Sequence, residues 1–222
     1  MKTKRILMSA LGVVVGGISV GMFKLAAFGV DPFQSLMSGL DQWIPISFGT
    51  LYVIVNALLL LFSLIFDRHY IGLATVLNLL FVGYEADFSH AFLLRIFPEA
   101  SVALRCVSFV LGVVVLCFAS AFYITADLGV STYDAVALVM ANKWKLWKFK
   151  YIRICTDVAC VLLGIVFFLL GKGKPGEILT FAGVGTVVTA FFMGPLIDFF
   201  QRKAAIPFLE RRRKHGSGGE NG

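Results

Sequence analysis

Long apolar stretches recur along the chain, parted by short polar or glycine-bearing breaks. Crossing about 30 Å of hydrocarbon takes roughly 20 helical residues. Six windows meet that length: 6–27, 48–66, 71–93, 102–125, 151–170 and 178–200. The third is the least regular, because Glu85, Asp87 and His90 crowd its end. Two further segments are too short to span. One follows Gly29-Val30 and begins Asp31-Pro32-Phe33-Gln34; the other follows Gly129-Val130 and begins Ser131-Thr132-Tyr133-Asp134. Asp31 before Pro32 is an N-cap with proline at the first helical position, and Ser131 with Asp134 three residues on fits a capping box.

Each short helix would run about 12 residues, roughly 18 Å, or half a membrane. Phe33, Leu36, Met37 and Leu40 make a stripe at helical spacing, with Gln34, Ser38, Asp41 and Gln42 off it. That pattern fits an amphipathic helix lying in the interface. It also fits a re-entrant half-helix whose N-terminus points its dipole at a polar or anionic solute. The second copy, apolar nearly all round from Ala135 to Met140, fits insertion better.

The two halves resemble each other. Residues 11–40 align with 111–140 without a gap and 8 positions are identical, where so apolar a composition gives roughly 3 by chance. Residues 72–88 align with 183–199 with 7 identities, among them Gly72 with Gly183 and Thr75 with Thr186. The same segment at 11 and 111 also means that the first span, preceded by Lys2, Lys4 and Arg5, is a retained helix and not a cleaved signal. Three spans per half is an odd number, so the second half enters the membrane from the opposite side. The expected fold is therefore an all-α polytopic membrane protein. It has six transmembrane helices as two inverted three-helix repeats, 1–98 and 99–203, followed by a basic cytoplasmic tail with a flexible end, 204–222.

Composition agrees with a bilayer as solvent. Of 222 residues, 59% are hydrophobic and 15% charged, with mean hydropathy +0.87; soluble domains carry about 25% charged residues. The net charge of +7 follows topology and not nucleic acid. With the N-terminus inside, the cytoplasmic segments hold fifteen Lys and Arg (Arg153 among them) and the outer segments four. Trp43 falls at the outer interface, Trp144 and Trp147 at the inner one, and Lys24 is expected to snorkel outward. The cluster Glu210 to His215 should be drawn to anionic lipid headgroups.

Ionisable groups at membrane depth are functional candidates by default. Asp157 lies well inside the fifth span, and Asn56 occupies the matching place in the second. Their alternative role is a helix–helix hydrogen bond, worth about 0.6 kcal/mol on average. Asp87 and Asp198 sit at span ends as solvated carboxylates; Glu85 and Asn78 sit deeper. Gly12, Gly16, Gly17 and Gly21 make two GxxxG steps that permit close helix contact. Cys106, Cys117, Cys155 and Cys160 fall in apolar stretches without ligand spacing. No hydrolase, metalloprotease, phosphate-loop or dinucleotide motif occurs. No cofactor, metal or enzymatic activity is expected.

The glycine-rich first span, then Gly29-Val30-Asp31-Pro32-Phe33, then Gly72 to Asp87 and Gly183 to Asp198, resemble the YitT/YczE group of bacterial inner-membrane proteins. The resemblance covers the chain to about residue 203. It implies a multi-pass protein of the bacterial plasma membrane and carries over no substrate or site residue.

The function expected is a secondary transporter or exporter for a small polar or amphiphilic solute, since inverted repeats place solute sites at their seam. Asp157, Asn56, Asp31, Asp134, Gln34 and Ser131 are the candidate binding residues. Lipid and a small solute are the expected partners, with a homodimer or another membrane protein left open. The competing class is a scaffold for another membrane or biosynthetic protein, and a lipid-handling protein is a third. Cysteines placed singly near residues 31 and 131, in a background lacking the native four, should react with a membrane-impermeant maleimide from opposite sides of the membrane. Labelling from a common side would remove the inverted arrangement.

Overall fold

The computed structural model describes residues 2–46 and 48–210. All regular elements among them are helical. They are α1 (Lys2–Ala26), α2 (Pro32–Trp43), α3 (Phe48–Phe66), α4 (Leu73–Ile96), α5 (Val102–Ala126), α6 (Thr132–Leu138), α7 (Phe149–Leu170), α8 (Ile178–Phe181), α9 (Val184–Phe200) and α10 (Ile206–Glu210). Single 3-10 turns at Arg68–Tyr70 and Pro175–Glu177 precede α4 and α8. Single π turns at Val139–Lys143 and Gln201–Ala205 extend α6 and α9.

Among the described residues, four helical segments are long and apolar enough to cross a membrane: Lys2–Ala26, Val102–Ala126, Phe149–Leu170 and Val184–Glu210. Thr50–Phe66 is a shorter apolar helix. Large apolar side chains stand exposed along their outer faces, among them Leu7, Leu11, Ile18, Val107, Val110, Leu162 and Val166. In water such a surface would aggregate; against hydrocarbon it costs nothing. The sixth expected stretch, 178–200, is not one helix. It breaks at Ala182-Gly183, and the reason lies in what Phe181 does.

Both expected helix breaks are present, and each is closed by the other half of the chain. Gly29 and Gly129 take positive φ, 111° and 100°, which an L side chain adopts only under strain. The Val30 amide donates to the Phe181 carbonyl at 3.4 Å, and the Gly185 amide to the Phe28 carbonyl at 2.9 Å. In the second half, the Val130 amide donates to Tyr70 at 2.9 Å, and the Ala74 amide to Leu128 at 3.1 Å. Thr186 Oγ1 lies 3.0 Å from the Phe181 carbonyl, and Thr75 Oγ1 lies 3.3 Å from that of Tyr70. The partners match residue for residue at the offsets of the two alignments, Tyr70 and Phe181 falling two positions before the second. Phe181 keeps its carbonyl free for Val30 and Thr186 because α8 stops there.

The long helices follow the same exchange. A Cβ on Gly12 of α1 would meet the Ala119 carbonyl and Tyr123 of α5, while one on Gly112 would meet Met22, the Ser19 carbonyl and Phe23. Rising numbers on α1 meet falling numbers on α5, so the two run antiparallel. The two GxxxG steps divide their work: Gly12 and Gly16 face α5, whereas Gly17 and Gly21 face Glu85 and Ser89 of α4. Likewise α2 of the first half packs on α7 of the second, with Gly39, Gly164 and Gly171 bringing backbones together. The counterpart of that contact is α6 on α3.

The N-cap expectations hold in part. Asp31 Oδ1 accepts from the Phe33 and Gln34 amides, both at 3.1 Å. Ser131 Oγ accepts from the Asp134 amide at 3.1 Å. Asp134 does not complete the box: its carboxylate turns away from the N-cap amide toward the interior. Asp198, expected as a solvated carboxylate, is instead partly buried and paired with Arg202 at 3.1 Å where α9 passes into its π turn. The Asp87 side chain and the cluster 211–215 lie outside the described residues.

Because both the backbone angle and the contact at the breaks exclude a side chain, Gly29→Ala and Gly129→Ala should each destabilise the protein by about 1–3 kcal/mol. Gly176→Ala, where a Cβ would meet nothing within 4 Å, is the control. Thermal unfolding of the purified protein in detergent reads the difference.

Candidate functional site

The start of each short helix faces a cavity of about 410 Å³ walled by both halves. Asp31, Gln34, Asn56, Ser131 and Asp134 all line it. Five of the six sequence-derived candidates are thus brought to one place by α2, α3 and α6. The sixth is not: Asp157 is fully buried and stands behind the wall, one layer back.

The group in front of Asp157 is Arg153, one turn earlier on α7 and only 7% exposed. Assigning it to the cytoplasmic charges is therefore corrected. It is a buried cation held by two carboxylates. Its Nη1 donates to Asp134 Oδ1 in a close ion pair, and its Nε donates to Asp157 Oδ2 at 3.2 Å. The i,i+4 spacing of Arg153 and Asp157 puts both on one face of α7. The guanidinium carbon also sits 4.4 Å from the centre of the Tyr133 ring, a cation–π contact.

The carboxylates are filled in turn. Asp134 Oδ2 accepts from Ser131 Oγ at 2.7 Å and from Tyr123 Oη. Asp157 Oδ1 accepts from Tyr133 Oη at 2.6 Å. So α5, α6 and α7 are tied together by one charge-assisted network, and such bonds are roughly twice as strong as neutral ones. Asn56 belongs to a second link: its Oδ1 accepts from Thr132 Oγ1 at 2.7 Å, and its Nδ2 donates to the Tyr52 carbonyl at 2.9 Å. No hydrogen bond joins Asn56 to Asp157; each instead bonds to α6, through Thr132 and Tyr133.

Phe33 and Tyr133, equivalent residues in the two halves, stack on each other with ring centres 5.3 Å apart. Tyr52 packs edge-on to Phe33 at 6.0 Å. All three rings line the cavity, as do Asn78 and Lys24. One spacing aside, nothing local in the sequence marks Arg153, Tyr52, Tyr123 and Tyr133 as site residues: Tyr52 and Tyr123 count as apolar span residues, Tyr133 follows a helix cap, and Arg153 lies only five residues beyond Lys148. The available signal was the helical spacing of Arg153 to Asp157. No group of three or more His, Cys, Asp or Glu among the described residues has metal-binding geometry.

The chain matches the model of the family of unknown function DUF6198 over residues 3–202 and belongs to that family. It is 26% identical over 173 residues to the uncharacterized membrane protein YczE of Bacillus subtilis, covering 78% of this chain and 74% of that one. An uncharacterized protein of Haemophilus influenzae is 26% identical over 200 residues, 90% and 83% of the two chains. The uncharacterized protein YyaS of Bacillus subtilis is 21% identical over 204 residues, 92% and 96%. No solved structure matches. Family and apolar helices together make this a membrane protein of the YczE-like kind.

Removing the shared cation should be costly. Arg153→Met leaves two buried carboxylates opposed and should destabilise by about 3–5 kcal/mol. Asp157→Asn keeps the Asp134 pair and an acceptor for Tyr133, so its loss should be smaller. Denaturant unfolding of both variants in the same detergent ranks them.

Proposed function

We propose that this DUF6198 member is a secondary transporter or exporter of the bacterial plasma membrane that moves a small polar or amphiphilic solute without converting it. The observation that carries this reading is the cavity at the seam, with a buried arginine in its wall. A cation removed from water costs several kcal/mol even when paired. Stability alone would be served as well by apolar side chains, so a paired arginine lining a cavity points to a ligand.

In this reading six spans form two inverted three-span repeats with both termini in the cytoplasm, fourteen basic residues remaining on that side once Arg153 is withdrawn. The reciprocal docking of the two breaks and the antiparallel packing of α1 on α5 support the inversion. A twofold relation of this kind provides two mirrored arrangements of one site, open to one side or the other. The half-helices α2 and α6 then enter from opposite faces and meet at Phe33 and Tyr133.

A scaffold role through the GxxxG face of α1 is disfavoured by what covers that face, since α4 and α5 already occupy its glycines. Flux is the direct test. Proteoliposomes holding the wild-type protein should move at least one solute from a panel of amino acids, sugars, amines and organic acids above empty liposomes. Asp134→Asn, which weakens the hold on Arg153, should slow that flux at least tenfold. Absence of flux for every solute would favour the scaffold class.

A further inference from the structure

The hydrogen bonds around Arg153 and Asp31 identify the chemistry of the solute. A guanidinium carries five N–H groups. Nε is used by Asp157 and one Nη1 hydrogen by Asp134, while Nη2 has no acceptor among the described residues. No atom of Arg153 is both sealed from solvent and unsatisfied, and the residue lines the cavity. Nη2 is therefore not sealed off, on a residue that lines that space. A guanidinium edge offered to a cavity fits the two oxygens of a carboxylate.

Asp31 is the complement. Its Oδ1 is taken by two backbone amides of α2, and its Oδ2 has no donor among the described residues and is not sealed off. This carboxylate, unlike those of Asp134 and Asp157, has an acceptor to offer. Phe33 and Tyr133 line the same cavity as a stacked pair, with the guanidinium of Arg153 against the Tyr133 ring. Lys24, on a more exposed part of the wall, has an interaction of its own.

We infer that the cavity binds a small zwitterion of the free α-amino acid class, its carboxylate on Arg153, its ammonium on Asp31 and its apolar part against Phe33, Tyr52 and Tyr133. The inference rests on the cavity being the solute site. A simple anion would face the Asp31 charge, and a simple cation would leave the Arg153 donors unpaired. Sites of this sort reject analogues that lack one of the two charges, because a buried polar group is then left without a partner.

The test uses the full-length protein in detergent, with thermal unfolding and titration calorimetry. The probes are the twenty proteinogenic amino acids and, for each that binds, its N-acetyl derivative and methyl ester. Asp31→Asn keeps an amide oxygen for the α2 amides, so it should unfold at a temperature near that of the wild type. At least one amino acid should raise the unfolding temperature, with both blocked forms at least tenfold weaker. Asp31→Asn should weaken the amino acid at least tenfold and leave the N-acetyl form unchanged. Equal binding of the N-acetyl form would overturn the proposal in favour of an anion site, and equal binding of the ester in favour of a cation site. Binding by none of the twenty would also overturn it. Binding without flux would keep the zwitterion site and remove transport; flux of some other solute without amino acid binding would do the reverse.

Discussion

A helix interrupted inside hydrocarbon strands amides and carbonyls that water cannot reach, and each one left unpaired costs several kcal/mol. This constraint governs the molecule. The breaks at Gly29 and Gly129 survive because carbonyls and amides of the opposite half close them, joined by the hydroxyls of Thr75 and Thr186. Once the breaks are fixed, the starts of α2 and α6 are fixed with them. Asp31, Ser131 and Asp134 then face one space and not two surfaces.

The second level of organisation is electrostatic. Arg153 joins α7 to α6 through Asp134, and Tyr123 joins α5 to the same carboxylate. In a low dielectric these bonds strengthen one another, and the same low dielectric makes the loss of any member severe. The network holds the start of α6, through the side chains of its N-cap Ser131 and of Thr132, Tyr133 and Asp134, before the helix passes into a π turn at Val139.

Much of the architecture was legible in the chain itself, for physical reasons. Long apolar runs, glycine shortly before a capping residue, and proline after Asp31 are local signals, and each corresponds to an observed element save the last apolar run, which is divided at Ala182-Gly183. The recurrence of Leu11 to Val15 at Leu111, and of Gly72 and Thr75 at Gly183 and Thr186, located the residues that close each break without disclosing that the halves exchange them. Polar positions were harder to read. Asp157 is conspicuous as a lone acid in an apolar span, yet its partner precedes it by one turn, where the local pattern is that of a basic loop. Burial of Arg153 depends on α6 folding over it, which no local pattern encodes. The break after Phe181 was hidden for the same reason, since it answers a demand made by Val30.

The exchanged closure of the breaks has a consequence for biogenesis. Phe28, Gly29 and Val30 find their partners only when Phe181, Gly183 and Gly185 have been synthesised, some 150 residues later. Until then the amides and carbonyls of the first break lack the partners that close it. Nascent chains arrested before Thr186 can close the break at Gly129, whose partners Tyr70 and Ala74 precede it, but cannot complete the break at Gly29 or the cavity.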